Sequence, residues 1–217
     1  KQPEGAKWAD PVKVIDDLTF RFDGAGYLED GADQVFVLPA EGGTPRQVTT
    51  GEADMGGQAW LDNDTLLVTG NLADDRDMDP IESEIYSVEL SNLQITPLTS
   101  RDGPDFAATP APDGRSIAFL GYDDELKSYQ QNHLYVMGPD GSGVRELLSG
   151  FPGSPGQIEW APDGKSLFML FEDHGVLTLN ELDLQGRLTQ VVTGIGGTSI
   201  GRPYAGGSFS VAKSGRR

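Results

Sequence analysis

The strongest constraint on this chain is that its sequence repeats. A-W-L-D-N-D-T-L-L-V at 59–68, T-P-A-P-D-G-R-S-I-A-F-L at 109–120 and E-W-A-P-D-G-K-S-L-F-M-L at 159–170 share one pattern. Their anchors Trp60, Pro110 and Trp160 step by 50 positions, and so do the apolar residues Leu67, Ile117 and Leu167 behind them. A second motif recurs as Q-V-F-V-L (34–38), E-I-Y-S-V (84–88) and H-L-Y-V-M (133–137). A third recurs as R-Q-V-T-T (46–50), T-P-L-T-S (96–100) and R-E-L-L-S (145–149), and a looser copy of the pair occupies 176–194. Such a period marks an array of supersecondary units, each unable to bury its apolar face alone.

Each unit reads as four short strands. A polar first strand enters a P-D-G turn, where Pro presets φ, Asp bonds its own backbone and Gly accepts φ > 0. An apolar second strand follows, typified by Leu167-Phe168-Met169-Leu170, as expected of a strand covered on both faces. The third carries the I-Y-x-V type of pattern, and the fourth ends in Leu-Thr or Val-Thr. One fourth strand holds Pro97, which fits only a sheet edge. Helical periodicity is nearly absent, apart from one short helical stretch expected at 123–131 (D-D-E-L-K-S-Y-Q-Q). The fold class is therefore all-β: a β-propeller fragment of four-stranded antiparallel blades, about four complete blades plus a half. The blades are expected at about 12–50, 51–100, 101–149 and 150–194, with a half blade at 195–217, in a single partial domain. A closed ring needs a whole number of blades, so the sequence reads as part of something longer.

Composition narrows function by exclusion. Sixteen Lys plus Arg against 34 Asp plus Glu give a net charge of −18, which disfavours non-specific binding to nucleic acid or anionic membrane. With no Cys, disulfide frameworks, thiolate zinc sites and Cys nucleophiles are excluded. No apolar run is long enough to span a membrane as a helix, and K-Q-P-E-G-A-K-W lacks the apolar core of a signal peptide. A cytoplasmic location is expected, with the periplasm or secretion as the alternative.

The D-G-R-S-I-A-F-L and W-A-P-D-G-K-S-L repeats resemble those shared by the periplasmic translocation protein TolB and the prolyl-oligopeptidase family. Y-Q-Q-N-H-L-Y-V-M (129–137), P-A-E-G-G-T-P-R-Q-V-T (39–49) and L-T-F-R-F-D-G-A-G-Y-L (18–28) tilt the resemblance toward the acylaminoacyl-peptidase-like branch of that family. In it a propeller sits beside an α/β-hydrolase domain that follows in sequence and carries the catalytic Ser, Asp and His. The resemblance implies that this chain is the non-catalytic propeller portion of a serine peptidase. Its partners would be the C-terminal α/β-hydrolase domain and peptide substrates, with no cofactor. The second reading is a TolB-like binding propeller with no enzyme attached. A stand-alone propeller enzyme such as a glycosidase or lactonase ranks last, because the carboxylates here lie mainly in turns.

Gly197-Thr198-Ser199-Ile200-Gly201 fits G-x-S-x-G, but a working elbow needs a helix after it and Asp and His later in the chain. Neither Asp nor His follows Ser199, so no catalytic residue is assigned. His133 and His174 stand outside any zinc-ligand spacing and read as structural polar residues. Asp75, Asp77 and Asp79 alternate like the start of a calcium loop, yet Pro80 and Tyr86 occupy the positions that need Gly and Glu. An EF-hand is thereby excluded; a looser calcium or amine site stays open, and no metal ligand is assigned.

In a meander blade the second-to-third connections share one face. The two longest, 71–83 and 121–132, belong to adjacent blades and should stand side by side. Long loops on a rigid sheet are where function concentrates, which makes Asp75, Asp77, Asp79, Tyr129, Gln130 and Gln131 the candidate substrate or domain contacts. Trp60 and Trp160 share a repeat position and are expected to be inter-blade core. An open arc leaves apolar sheet faces uncovered at its ends, so self-association across a two-fold axis is also expected.

Overall fold

The computed structural model describes residues 3–9, 12–197 and 206–213. Among these there is no helix, and sixteen strands form antiparallel meanders. β1 (Arg21–Phe22) pairs β2 (Gly26–Tyr27), and β3 (Phe36–Val37) pairs β4 (Arg46–Gln47), as two separate ladders. Three four-stranded sheets follow. The first holds β5 (Met55–Trp60), β6 (Thr65–Gly70), β7 (Glu84–Glu89) and β8 (Gln94–Pro97). The second holds β9 (Asp105–Pro110), β10 (Ile117–Gly121), β11 (His133–Met137) and β12 (Arg145–Glu146). The third holds β13 (Ile158–Trp160), β14 (Ser166–Asp173), β15 (Val176–Asp183) and β16 (Leu188–Gly197). In each the spatial order follows the chain order, which is the architecture of propeller blades. Much of the 195–217 unit, Ser199 included, lies outside the described residues.

The turn chemistry repeats atom for atom. Ala111 N donates to Ser116 O at 2.8 Å and Gly114 N to Ala111 O at 2.9 Å, while Arg115 N reaches the Asp113 carboxylate at 3.0 Å. Fifty residues on, Ala161, Gly164 and Lys165 make the same three bonds at 2.9, 2.9 and 3.1 Å. Gly114 and Gly164 both sit at φ +68°, a conformation that a Cβ would penalise. The Leu-Thr and Val-Thr endings also gain a physical reason. Thr49 and Thr99 are buried, and their hydroxyls accept the amide hydrogens of Val35 (2.8 Å) and Ile85 (2.9 Å), where the third strand begins.

The period of two along each middle strand decides what packs where. Leu66 and Val68 face back onto Val35 and Val48, whereas Leu67 faces forward onto Ile117 and Phe119. Ala118 and Leu120 in turn face forward onto Ile158, Leu167 and Met169. All five residues of β10 are buried, at roughly 1.5–3 kcal/mol for each large apolar side chain. The edge strand β8 accommodates Pro97.

Two expectations are corrected. The 123–131 stretch is a loop, not a helical turn: Leu126 has φ +53°, and the Gln130 amide ties to Asp124 and Glu125 in place of backbone bonds. Trp160 is core, 6% exposed with its indole donating to Thr109 O at 2.8 Å, but Trp60 is 56% exposed. The strand that would cover Trp60 lies one repeat before β5, and residues 3–9 and 12–20 contain no strand.

Replacing Thr49 by Val keeps the shape and orphans the buried Val35 amide. Urea denaturation should show a loss of about 1–3 kcal/mol; an unchanged midpoint would remove the explanation offered for the Thr endings.

Candidate functional site

The 71–83 and 121–132 connections emerge on the same face as the links between blades, opposite the P-D-G turns. The corresponding connection of the next blade shrinks to Asp173-His174-Gly175-Val176, where β14 turns directly into β15. His174 sits there at φ +49° with Nδ1 2.5 Å from the Asp173 carboxylate. One side of this face is therefore raised by two loops, and the other is flat.

The segment Arg101-Asp102-Gly103-Pro104-Asp105 stitches the two loops together. Glu82, closing the first loop, accepts the Gly103 amide hydrogen at 2.7 Å. Asp105 N donates to Ser83 O at 2.6 Å, and Asp124 N, in the second loop, donates to Asp102 O at 2.9 Å. Gly103 has φ +125°, and a Cβ there would lie 2.2 Å from Tyr122 O. The loops do stand side by side, held through this link.

At its centre is a charge cluster. Arg101 binds both oxygens of the fully buried Asp105, through Nη2 at 2.5 Å and Nε at 3.2 Å. Its guanidinium carbon lies 4.1 Å from the centre of the Tyr135 ring, and Nη1 approaches Asp123 at 3.5 Å. Tyr135 stacks on Phe119 at 5.3 Å, and His133 Nδ1 lies 2.7 Å from Glu146 Oε1. Burial works against the Arg101 charge, but hydrogen bonds to Asp105 and Tyr135 outweigh it and hold the proton more firmly. Burial pushes the Asp105 carboxyl up against the pull of Arg101. Because a guanidinium does not deprotonate in this range, Arg101 keeps its charge beside that carboxyl. Burial also raises the Glu82 carboxyl, opposed by the Gly103 amide. Glu84 is displaced furthest: burial pushes it up to about 7, the Thr99 hydroxyl pulls it back, and Asp105 and Glu82 push it further. One Glu84 oxygen, Oε2, is buried without a hydrogen-bond partner among the described residues.

The residues singled out from sequence divide into two sets. Asp75 and Asp77 are exposed and Asp79 half-buried; the backbone around them closes through Met78 N to Asp75 O (2.7 Å) and Asn71 Nδ2 to Asp79 O (2.8 Å). Tyr129 is 72% exposed. Gln130 and Gln131, by contrast, serve the scaffold. Gln130 donates to Asp124 at 2.6 Å and accepts from Glu125 N, while Gln131 donates across to Pro152 O at 2.6 Å. Asn132 adds bonds to Ser154 and Pro155, so Y-Q-Q-N-H is a clamp between consecutive blades. Among the described residues no group of three or more His, Asp or Glu is arranged to hold a metal ion. The sequence reading passed over Arg101, Asp105, Glu84 and Tyr135. A signal existed: Arg101 is the sole cation between Arg76 and Arg115, and a lone cation in so acidic a stretch must satisfy several carboxylates.

Replacing Arg101 by Met leaves the buried Asp105 carboxyl without its hydrogen-bonding partner and should cost about 3–5 kcal/mol in urea unfolding. Pairing it with Asp105→Leu should recover much of that loss; equal losses in the single and double variants would show that the ion pair is not the cause. The Glu84 carboxyl holds its proton up to about 7 when folded but only to 4.5 when unfolded. The folded chain is then the more protonated across that window, so the Glu84 contribution to stability falls as pH rises from 4.5 to 7. Glu84→Gln should match the wild type in melting temperature near the bottom of the window and exceed it above the top. A difference that is constant with pH would contradict this.

Residues 12–125, more than half of the chain, match the family described as the dipeptidyl peptidase IV (DPP IV) N-terminal region. The Tol-Pal system protein TolB of Alcanivorax borkumensis is 27% identical over 92 residues, covering 42% of this chain and 20% of that protein. TolB from Acinetobacter baumannii superposes with a TM-score of 0.56 at 19% identity, covering 72% of this chain and 37% of that one. A puromycin hydrolase structure gives 0.57 at 21% identity, covering 73% of this chain and 27% of that one. The chain thus spans well under two thirds of each of these relatives. The structural likenesses carry the propeller fold, and the family match bears out the resemblance to a peptidase-family propeller: this chain belongs to the dipeptidyl peptidase IV N-terminal region family.

Proposed function

We propose that the chain is the non-catalytic propeller portion of a serine peptidase of the prolyl-oligopeptidase family, acylaminoacyl-peptidase-like. Its looped face docks against a C-terminal α/β-hydrolase domain and limits entry to peptides short enough to pass. The observation that carries this reading is the family match over residues 12–125. The two raised loops support the choice of face, since they present exposed Asp75, Asp77, Met78 and Tyr129 on a scaffold fixed by Arg101 and Gln131. In this arrangement the exposed side chains make the contact, and the Arg101 cluster keeps the loops at a constant height.

The second reading, a TolB-like protein-binding propeller with no enzyme attached, draws on the TolB relative and the TolB superposition. That likeness also favours the periplasmic alternative over the cytoplasmic location. Among the described residues no helix is long and apolar enough to cross a membrane.

Treating the full gene product that contains this chain with a fluorophosphonate probe separates the two readings. Covalent labelling of a serine is expected. A gene product that folds and takes no label would overturn the peptidase reading and leave the binding module. In the labelled protein, Tyr129→Ala together with Asp75→Asn and Asp77→Asn should alter turnover of long peptides more than of short ones, with the melting temperature unchanged.

A further inference from the structure

Glu84 stands where the preceding unit carries a glutamine. The two third strands open as Gln34-Val35-Phe36 and Glu84-Ile85-Tyr86, 50 positions apart, and the backbone bonds flanking the first residue are the same in both. Met55 N donates to Asp33 O at 2.8 Å, and Asp105 N donates to Ser83 O at 2.6 Å. On the other side, the Thr49 hydroxyl accepts Val35 N at 2.8 Å and the Thr99 hydroxyl accepts Ile85 N at 2.9 Å. Positions 34 and 84 are therefore held in one frame, each beside the link that leads into the next sheet.

What the two side chains can do in that frame differs. Gln34 donates from Nε2 to Gly51 O at 3.3 Å and to Ala53 O at 3.1 Å, which ties the head of its strand to the link. One repeat on from Gly51 and Ala53 stand Arg101 and Gly103, in the segment that stitches the 71–83 and 121–132 loops together. A carboxylate has no hydrogen to give a carbonyl there, whereas a carboxylic acid has one. The surroundings favour the acid. Glu84 Oε2 is buried without a hydrogen-bond partner among the described residues, and a buried charge in that position is costly. Burial carries the carboxyl to about 7, with Asp105 and Glu82 adding to the rise and the Thr99 hydroxyl and Arg101 opposing it. Arg101 has two of its N–H groups on Asp105. Tyr86, the other titratable neighbour, keeps its proton more firmly through burial and through Glu84.

We propose that Glu84 is a proton-operated latch: as the acid it fastens the head of β7 to the Arg101–Asp105 link, as Gln34 fastens its own, and on losing the proton it releases that link and the two loops joined through it. The proton goes to solvent, and the carboxylate left behind, unable to donate and opposed by Glu82 and Asp105, is relieved by moving into water. A change in peptide entry or docking with pH would follow, and that consequence rests on the peptidase reading; the latch itself does not.

Brief trypsin digestion of the full gene product that contains this chain, between pH 6 and pH 8, tests the latch. Cleavage after Arg76 and after Lys127, one in each loop, is followed by mass spectrometry and divided by that of Glu84→Gln at the same pH, which cancels the pH dependence of the protease. The latched state keeps the proton up to about 7, and a released Glu84 keeps it only to 4.5. Release therefore becomes easier as pH rises, and the ratio should climb about tenfold over the range, mostly below pH 7. The ratio after Lys165, in a turn on the opposite face, should stay constant, which separates release of the loops from unfolding of the chain. Gln34→Glu in the Glu84→Gln background should make the melting temperature fall more steeply from pH 6 to pH 8 than Glu84→Gln alone. A ratio at Arg76 and Lys127 that does not move with pH overturns the proposal. So does an equal rise at Lys165, and so does a Gln34→Glu transplant that adds no pH dependence. Absence of fluorophosphonate labelling counts against the peptidase reading alone.

Discussion

A four-stranded sheet with apolar residues on both faces cannot stand alone in water; it must lie between two others. Every other feature of this chain follows from that requirement. The middle strands alternate their side chains between the preceding and the following sheet, so Leu66 and Leu67, one residue apart, belong to different cores. The same logic fixes the turn residues, because each sheet must reverse direction within a few residues to return its next strand to the stack. Exposed apolar residues gather from Trp8 to Leu38, where the described residues form no four-stranded sheet.

Much of this was legible in the sequence because its signals are local. P-D-G encodes a turn through the chemistry of three adjacent residues, and the apolar runs at 117–120 and 167–170 encode burial on both faces without reference to anything distant. The strand class, the blade order and the shared face of the two long loops follow from such signals. The helical expectation at 123–131 failed because side-chain amides replaced the backbone ladder: Gln130 closes the loop onto Asp124. Trp60 failed for the opposite reason. Its repeat position specifies a core residue, but burial depends on a neighbouring inner strand that residues 3–9 and 12–20 do not form.

The charge cluster was harder to see, since its members come from four separate segments. Glu84, Arg101, Asp123 and Tyr135 have no shared spacing, and only the fold brings them within reach of Asp105. Gly121 is part of the same arrangement: a Cβ there would stand 2.1 Å from Asp105 Oδ1 and 2.5 Å from Arg101 Nη2. The cluster therefore links the register of β10 to the height of both loops, joining the stacking of blades to the face proposed for function. Gln130 and Gln131 belong with this scaffold, and the exposed Tyr129 and Asp77 with the surface it supports.

The central claim is that burial between sheets, and not strand pairing within them, holds this protein together. Hydrogen exchange followed by mass spectrometry tests it directly. Amides in Thr65–Gly70, Ile117–Gly121 and Ser166–Leu170 should be the slowest to exchange, and those of residues 12–22 the fastest. Middle strands that exchange as quickly as the edge strand Gln94–Pro97 would contradict the account.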